Sequence, residues 1–124
     1  MIIDLPYPPT VNTYWRNVGG RTLLSKAGRD YRRLAVDSCL AWKVVNKTPG
    51  NAPCGGPLDV EIVAYPPDRR KRDLDNLPKG VLDALQHAGM IHDDSQINRL
   101  TISRGPIRRG GWMTVEIQPM ETEQ

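Results

Sequence analysis

Leu58-Asp59-Val60-Glu61-Ile62-Val63-Ala64-Tyr65, then Pro66-Pro67, then Asp68-Arg69-Arg70-Lys71-Arg72-Asp73-Leu74-Asp75-Asn76-Leu77-Pro78-Lys79 decides the architecture of this chain. In the first run Leu58, Val60, Ile62 and Ala64 alternate with Asp59 and Glu61, the period-two pattern of a half-buried strand. Two prolines end it, since neither has an N–H for a strand ladder. Beyond the charged loop, Leu77, Val81, Leu82, Leu85 and Ala88 make an apolar stripe at helical spacing, predicting a helix over 76–88. Asp75 or Asn76 is placed to cap it, Pro78 is tolerated in its first turn, and Gly89 stops it. Pro78 and Gly80 make the start less helix-prone, Gly80 by roughly 1 kcal/mol relative to alanine.

Outward from this unit, residues 1–5 read as a short strand ended by Pro6. Residues 6–21 are rich in proline and end in Gly19-Gly20, and so read as a loop carrying Asn12, Tyr14, Trp15, Arg16 and Arg21. Its aromatics either stack on nucleic acid while the arginines pair with phosphate, or fold back onto the core. Ser25 caps a helix over 26–46 whose stripe is Tyr31, Leu34, Ala35, Ser38, Trp42 and Val45. Residues 46–57 are turn chemistry, and residues 90–96 are a turn carrying His92, Asp93 and Asp94. Strands are expected over 97–104 and 112–118, joined as a hairpin by 105–111 with Arg108-Arg109 at its tip. The order is β-α-β-α-β-β. The fold class is α/β (α+β), a single-layer small mixed sheet packed with two helices, in one domain over 1–124 with a frayed tail at 119–124.

The 17 lysines and arginines against 14 acidic residues give a net charge of +3, so the distribution of charge matters more than its sum. No apolar run approaches the ~20 residues of a membrane span, and the N-terminus lacks the pattern of a signal peptide, which points to the cytoplasm. Cys39 and Cys54 fit no metal spacing and read as a core thiol and a loop thiol, both reduced. An EF-hand would need a ligand where Leu77 stands, and the Gly-Lys-Ser/Thr of a P-loop is missing. His87 and His92 complete no zinc set with the cysteines.

The cations Arg69, Arg70, Lys71 and Arg72 suit phosphate, and the carboxylates Asp73 and Asp75 suit a hard metal ion. Two residues apart in extended chain, those carboxylates point to one side. Asp94 supplies a third, with Asp93 and Asn76 as supporting residues, and Lys79 stands on the helix where it can stabilise a transition state or orient water. This is the equipment of a metal-dependent phosphodiesterase acting on nucleic acid. A structural reading uses the same residues: aspartates at a helix N-terminus complement its dipole, and a basic run is a solvated face. Geometry adds a constraint. A helix over 76–88 is about 19 Å long, and some six residues must bring Asp94 back to Asp75. Either the helix is shorter and Asp94 folds back, or the site forms near a dimer interface.

Taken together, Leu5-Pro6-Tyr7-Pro8-Pro9 with Asn12, Trp15 and Arg16, the run from Pro67 to Leu77 with Lys79, Asp83-Ala84-Leu85, Ala88-Gly89, and Asp93-Asp94 with Gln96 resemble the RusA family of Holliday junction resolvases over about residues 2–118. The resemblance implies that Asp73, Asp75 and Asp94 bind Mg2+, for which Mn2+ can substitute, and that Lys79 is catalytic. It implies a homodimer acting on four-way junction DNA by paired, symmetric cleavage. A related nuclease for other branched DNA and a non-cleaving junction-binding protein are the competing readings.

Overall fold

The computed structural model describes residues 1–46 and 55–120. Its central strand is β4 (Leu58–Tyr65), and the alternation in its sequence decides which way it faces. Leu58, Val60, Ile62 and Ala64 are buried, as the period-two pattern requires. β4 pairs in parallel with β5 (Ile97–Arg104) on one side and antiparallel with β6 (Trp112–Pro119) on the other. β6 in turn pairs antiparallel with β1 (Ile2–Pro6), giving the order β1-β6-β4-β5. Ile3, Leu5, Met113, Val115 and Ile117 continue the buried face. The expected small mixed sheet is present, with β1 and β5 as its edges.

Residues 105–111 do not close a hairpin, because β4 lies between β5 and β6. They carry the chain across the end of β4 instead. Gly105 N–H donates to the Ala64 carbonyl (2.8 Å) and Arg108 N–H to the Pro66 carbonyl (2.9 Å). The Arg108 guanidinium stacks over Tyr65 and Trp112, 4.9 and 4.5 Å from the ring centres. A short glycine-containing link suits a hairpin and a one-strand step equally well, so its composition could not separate the two.

Two helices cover one face of the sheet. Ser25 caps α2 (Lys26–Val45), its hydroxyl accepting the Gly28 N–H at 3.0 Å. The buried face of α2 is Gly28, Tyr31, Ala35, Cys39 and Lys43, while Leu34 and Val45 of the expected stripe are exposed. Its rotation is fixed by two bonds to β1: the Tyr31 hydroxyl donates to the Pro6 carbonyl (3.0 Å) and the Trp42 indole to the Ile2 carbonyl (2.8 Å). The second helix, α3 (Pro78–His87), buries Gly80, Val81, Ala84 and Leu85 and stops at Gly89, whose φ of 72° glycine adopts without strain.

The stretch expected as a loop over 6–21 holds more structure. It contains a one-turn helix α1 (Val11–Tyr14) and a hairpin of β2 (Trp15–Val18) and β3 (Arg21–Leu24). Four-residue strands are too short for periodicity to reveal. Tyr14 is fully buried and Trp15 packs against the core, so the aromatics fold back rather than stand free. The tail is tied further than expected: Pro119 ends β6, and Met120 N–H donates to the Pro57 carbonyl (2.9 Å). Residues 121–124, most of the loop expected over 46–57, and Cys54 lie outside the described residues. Among the described residues no helix is long and apolar enough to cross a membrane.

Candidate active site

The charged loop leaves β4 at Pro66 and lies where the C-terminal ends of the parallel strands β4 and β5 meet, the usual place for a ligand in a parallel sheet. Its shape comes from Asp68, whose carboxylate accepts the Arg70 N–H (2.9 Å) and pairs with the Arg72 guanidinium (2.7 Å). These bonds, the one to Arg72 first, hold the Asp68 carboxyl down at about 2. Arg72 is thereby engaged within the loop, and its guanidinium also lies 5.7 Å from the centre of the Tyr7 ring. Arg69, Arg70 and Lys71 are exposed, and among the described residues their side chains make no ion pair. Together with Asp68, Asp73 and Arg104 they line an open cavity of about 460 Å³.

Asp73 and Asp75 have no capping task. A single 3-10 turn (Leu74–Asn76) precedes α3, closed by backbone bonds from Asn76 N–H to the Asp73 carbonyl and from Leu77 N–H to the Leu74 carbonyl, both 3.2 Å. Leu77, not Asp75 or Asn76, stands at the N-cap of α3, with no side-chain cap there. Both aspartates are exposed and make no side-chain hydrogen bond or ion pair among the described residues. Side-chain capping of α3 by Asp75 or Asn76 is therefore not seen. Because Asp75 lies inside the 3-10 turn and not in extended chain, period-two alternation does not set its carboxylate on the same side as that of Asp73, contrary to the expectation from sequence. Lys79 is exposed in the first turn of α3. Asn76 is partly buried beside the two aspartates.

Asp94 is placed differently. It opens a second 3-10 turn (Asp94–Gln96), which a capping box holds. The Asp93 carboxylate accepts from the Ser95 hydroxyl (3.0 Å), and the Gln96 side-chain oxygen accepts from the N–H groups of His92 (2.7 Å) and Asp93 (3.0 Å). The Ser95 hydroxyl, ahead of the contact from Asp94, holds the Asp93 carboxyl below the usual range. Asp93 thus shapes the turn that presents Asp94. The Asp94 N–H donates to the Gln86 side-chain oxygen (3.3 Å), which sets Asp94 beside the last turn of α3, whereas Asp73 and Asp75 precede its first. Among the described residues no three His, Cys, Asp or Glu side chains converge on a metal position. The donor types suit a hard divalent ion, but one chain does not close the set.

Of the remaining expected residues, Arg16 and Arg21 stand exposed on the β2–β3 hairpin. Asn12 lies on α1, and its side chain is outside the described part of the structure. Arg104 was missed by sequence reasoning. It ends β5, donates to the Arg72 carbonyl, and lines the basic cavity. Its position at the end of a strand following α3 was the available signal.

The Asp-Leu-Asp-Asn-Leu motif in its loop, the downstream Asp-Asp turn and the mixed sheet can now be set beside known proteins. The sequence model of the family described as Endodeoxyribonuclease RusA matches residues 6–118. This chain belongs to the RusA family. It is 37% identical over 118 residues to the crossover junction endodeoxyribonuclease of Enterobacteria phage HK97, covering 95% of this chain and 93% of that protein. It is 35% identical over 121 residues to the proteins of the same description from Shigella sonnei (strain Ss046) and Escherichia coli (strain K12), covering 98% of this chain and 96% of each of them. The RusA match runs from α1 into β6 and so includes every candidate site residue.

Proposed function

We propose that this chain is a Mg2+-dependent crossover junction endodeoxyribonuclease that resolves four-way DNA junctions by paired, symmetric cuts, acting as a homodimer in the cytoplasm of a bacterial or phage-infected cell. The observation that carries the proposal is the pair Asp73 and Asp75: both are exposed and make no capping bond, and Asp73 itself lines the cavity shared by Arg69, Arg70, Lys71 and Arg104. Cations draw a phosphodiester into this corner. Carboxylates so close to bound phosphate repel it unless a divalent cation lies between them, so a protein that only binds DNA gains nothing from them.

Asp73, Asp75 and Asp94 would hold the ion. When bound, it supplies charge neutralisation at the phosphoryl oxygens and a water nucleophile at neutral pH. Arg69, Arg70 and Lys71 fix the scissile strand by its phosphates, and Arg104 holds the loop backbone at Arg72. Lys79 stands on the rigid first turn of α3, where it can donate to a developing negative oxygen. The position of Asp94 at the far end of α3 favours a set completed by a second copy of the chain. β5 is a sheet edge running alongside, and antiparallel pairing of two β5 edges would carry the Asp94 end of one copy toward the Asp73 end of the other.

The test is cleavage of a synthetic four-way junction with and without Mg2+, beside a linear duplex and a flap. Paired symmetric nicks on the junction alone, reduced on the order of a hundredfold or more in Asp75→Asn while binding persists, are expected. Cutting of the flap in preference to the junction would make the protein a nuclease for other branched DNA. Tight junction binding with no cutting in Mg2+ or Mn2+ would make it a binder.

A further inference from the structure

The β2–β3 hairpin presents a face that neither the core nor the candidate active site uses. Its register sets Trp15 opposite Leu24, Arg16 opposite Leu23, Asn17 opposite Thr22 and Val18 opposite Arg21. Gly19 and Gly20, with φ of 56° and 79°, form the two-residue turn that matches the twist of a ribbon. Side chains alternate along each strand, so Trp15, Asn17, Thr22 and Leu24 share one face and Arg16, Val18, Arg21 and Leu23 the other. Trp15 and Leu24 pack against the core. On the opposite face Val18 is 46% exposed and Leu23 39%. Arg16 and Arg21 are exposed there too, with no ion pair among the described residues. Each aliphatic side chain is therefore paired across the ribbon with a cation.

That composition selects its surroundings. Guanidinium groups seek phosphates, which any duplex offers. Val18 and Leu23 seek a dry, flat apolar surface, which a stacked duplex hides. A branch point offers both at once: base faces that can unstack, flanked by the phosphates of the exchanging strands. We infer that the hairpin is a branch-point wedge, with Val18 and Leu23 against unstacked bases and Arg16 and Arg21 on the flanking phosphates. The inference rests on the four-way junction being the substrate.

The base of the hairpin is built to hold such a wedge still. The Tyr14 carbonyl accepts both the Ser25 N–H and the Ser25 hydroxyl at 3.0 Å, closing the ribbon where it leaves the core. The Tyr14 hydroxyl donates to Asp83 at 2.6 Å, and the same carboxylate takes two bonds from Arg32. The Tyr14 ring lies over Gly80, the neighbour of Lys79. The hairpin and Lys79 thus belong to one rigid body, which fixes where a cut falls relative to the opened step.

2-Aminopurine placed at the branch point or in one arm of a synthetic junction reads unstacking directly. The full-length protein is used in EDTA, so that nothing is cut. Wild type is expected to raise the branch-point fluorescence and leave the arm unchanged. V18S/L23S should leave the branch-point signal near that of free junction while affinity falls by no more than about threefold, because the phosphate contacts remain. Val18→Leu, which keeps an aliphatic tip, should open the step as wild type does. R16A/R21A should flatten the slope of log K against log salt by about two units. An unchanged fluorescence rise in V18S/L23S overturns the wedge. So does loss of the dimer in that variant by sedimentation, which would make this face a contact between copies. A wild type that cuts the junction without any fluorescence rise sinks the wedge alone, whereas a wild type that does not distinguish junction from duplex sinks the substrate reading with it.

Discussion

Gly80 shows how a single position answers to packing before propensity. A methyl group there would lie 2.8 Å from Cε2 and 2.9 Å from Cδ2 of Tyr14, whose ring is fully buried and held at its hydroxyl by Asp83. Gly80→Ala gains about 1 kcal/mol of helix propensity but overpacks a closed site at a cost of about 1–3 kcal/mol. The expected result is a net loss of stability, read as a melting temperature lower by a few degrees. A G80A protein that melts higher than wild type would show that the Tyr14 ring gives way. Asp68 carries a second prediction at this scale. Its folded value, about 2, lies below the ~3.9 of an unfolded aspartate. A depressed carboxyl stabilises fully above the unfolded value and loses that contribution as pH falls through the folded one, so the loop should loosen between about pH 4 and pH 2. Carboxyl-carbon NMR should find its midpoint near 2 in wild type and closer to 4 in Arg72→Met. A wild-type midpoint near 4 would remove the Asp68–Arg72 pair from solution. It follows that pH dependence of cleavage near neutrality arises from other groups.

At the scale of elements, the two helices are joined where α3 ends. Lys43 of α2 is 6% exposed, and its Nζ donates to the Ala88 carbonyl at 2.9 Å, meeting the negative end of the α3 dipole. Lys43→Met should cost about 1.5–3 kcal/mol, the usual worth of a hydrogen bond to a charged group, as a lower urea midpoint with unchanged slope. An unchanged midpoint would mean the carbonyl finds water instead. Lys43 also marks the limit of reading helices from sequence. The spacing of Tyr31, Ala35 and Trp42 located α2, but the buried face runs through Cys39 and Lys43 rather than Leu34 and Val45, because two side-chain bonds to β1 set its rotation. Local patterns captured β4, α3 and the Gly89 stop, since each depends on its own residues. They missed the place of β5, which depends on a strand more than thirty residues earlier, and the β2–β3 hairpin, whose strands are too short. The charged loop was legible as chemistry though not as shape. Arg70 projects from it with its side chain unpaired among the described residues, whereas Arg72 is tied to Asp68. Arg70→Ala should therefore flatten the log K versus log salt slope for junction binding by about one unit, and an unchanged slope would take Arg70 off the phosphates.

Asp59, Glu61, Glu116 and Gln118 line a small cleft on the polar face of the sheet, with Asp59 paired to Arg99 at 2.9 Å, whereas Arg69, Arg70, Lys71 and Arg104 gather at the end of β4. The candidate site residues are divided along α3. Asp94 is held beside the last turn by Gln86 and by the capping box of Asp93, while Asp73 and Asp75 precede the first turn, about 15 Å away along ten residues of helix. Metal ligands must come within about 2.1 Å of one ion. Closing that gap inside one chain would break the Gln86 bond and the capping box, whereas a two-fold partner leaves both intact and matches the symmetry of a four-way junction. Subunit mixing decides between them. Asp73→Asn and Asp94→Asn proteins should each be inactive. If sites form between copies, a mixed dimer has one site missing both residues and one site complete, so mixing should restore single nicks without paired cuts, at roughly a quarter of the wild-type number of sites when exchange is random. If sites form within one copy, both sites of the mixed dimer lack a ligand and no nicking returns. Mixing wild type with the doubly substituted protein gives the control for exchange. Conversion of paired cuts to single nicks there, with no recovery in the first mixture, would place each site inside a single chain and require Asp94 to leave its capping box on binding metal.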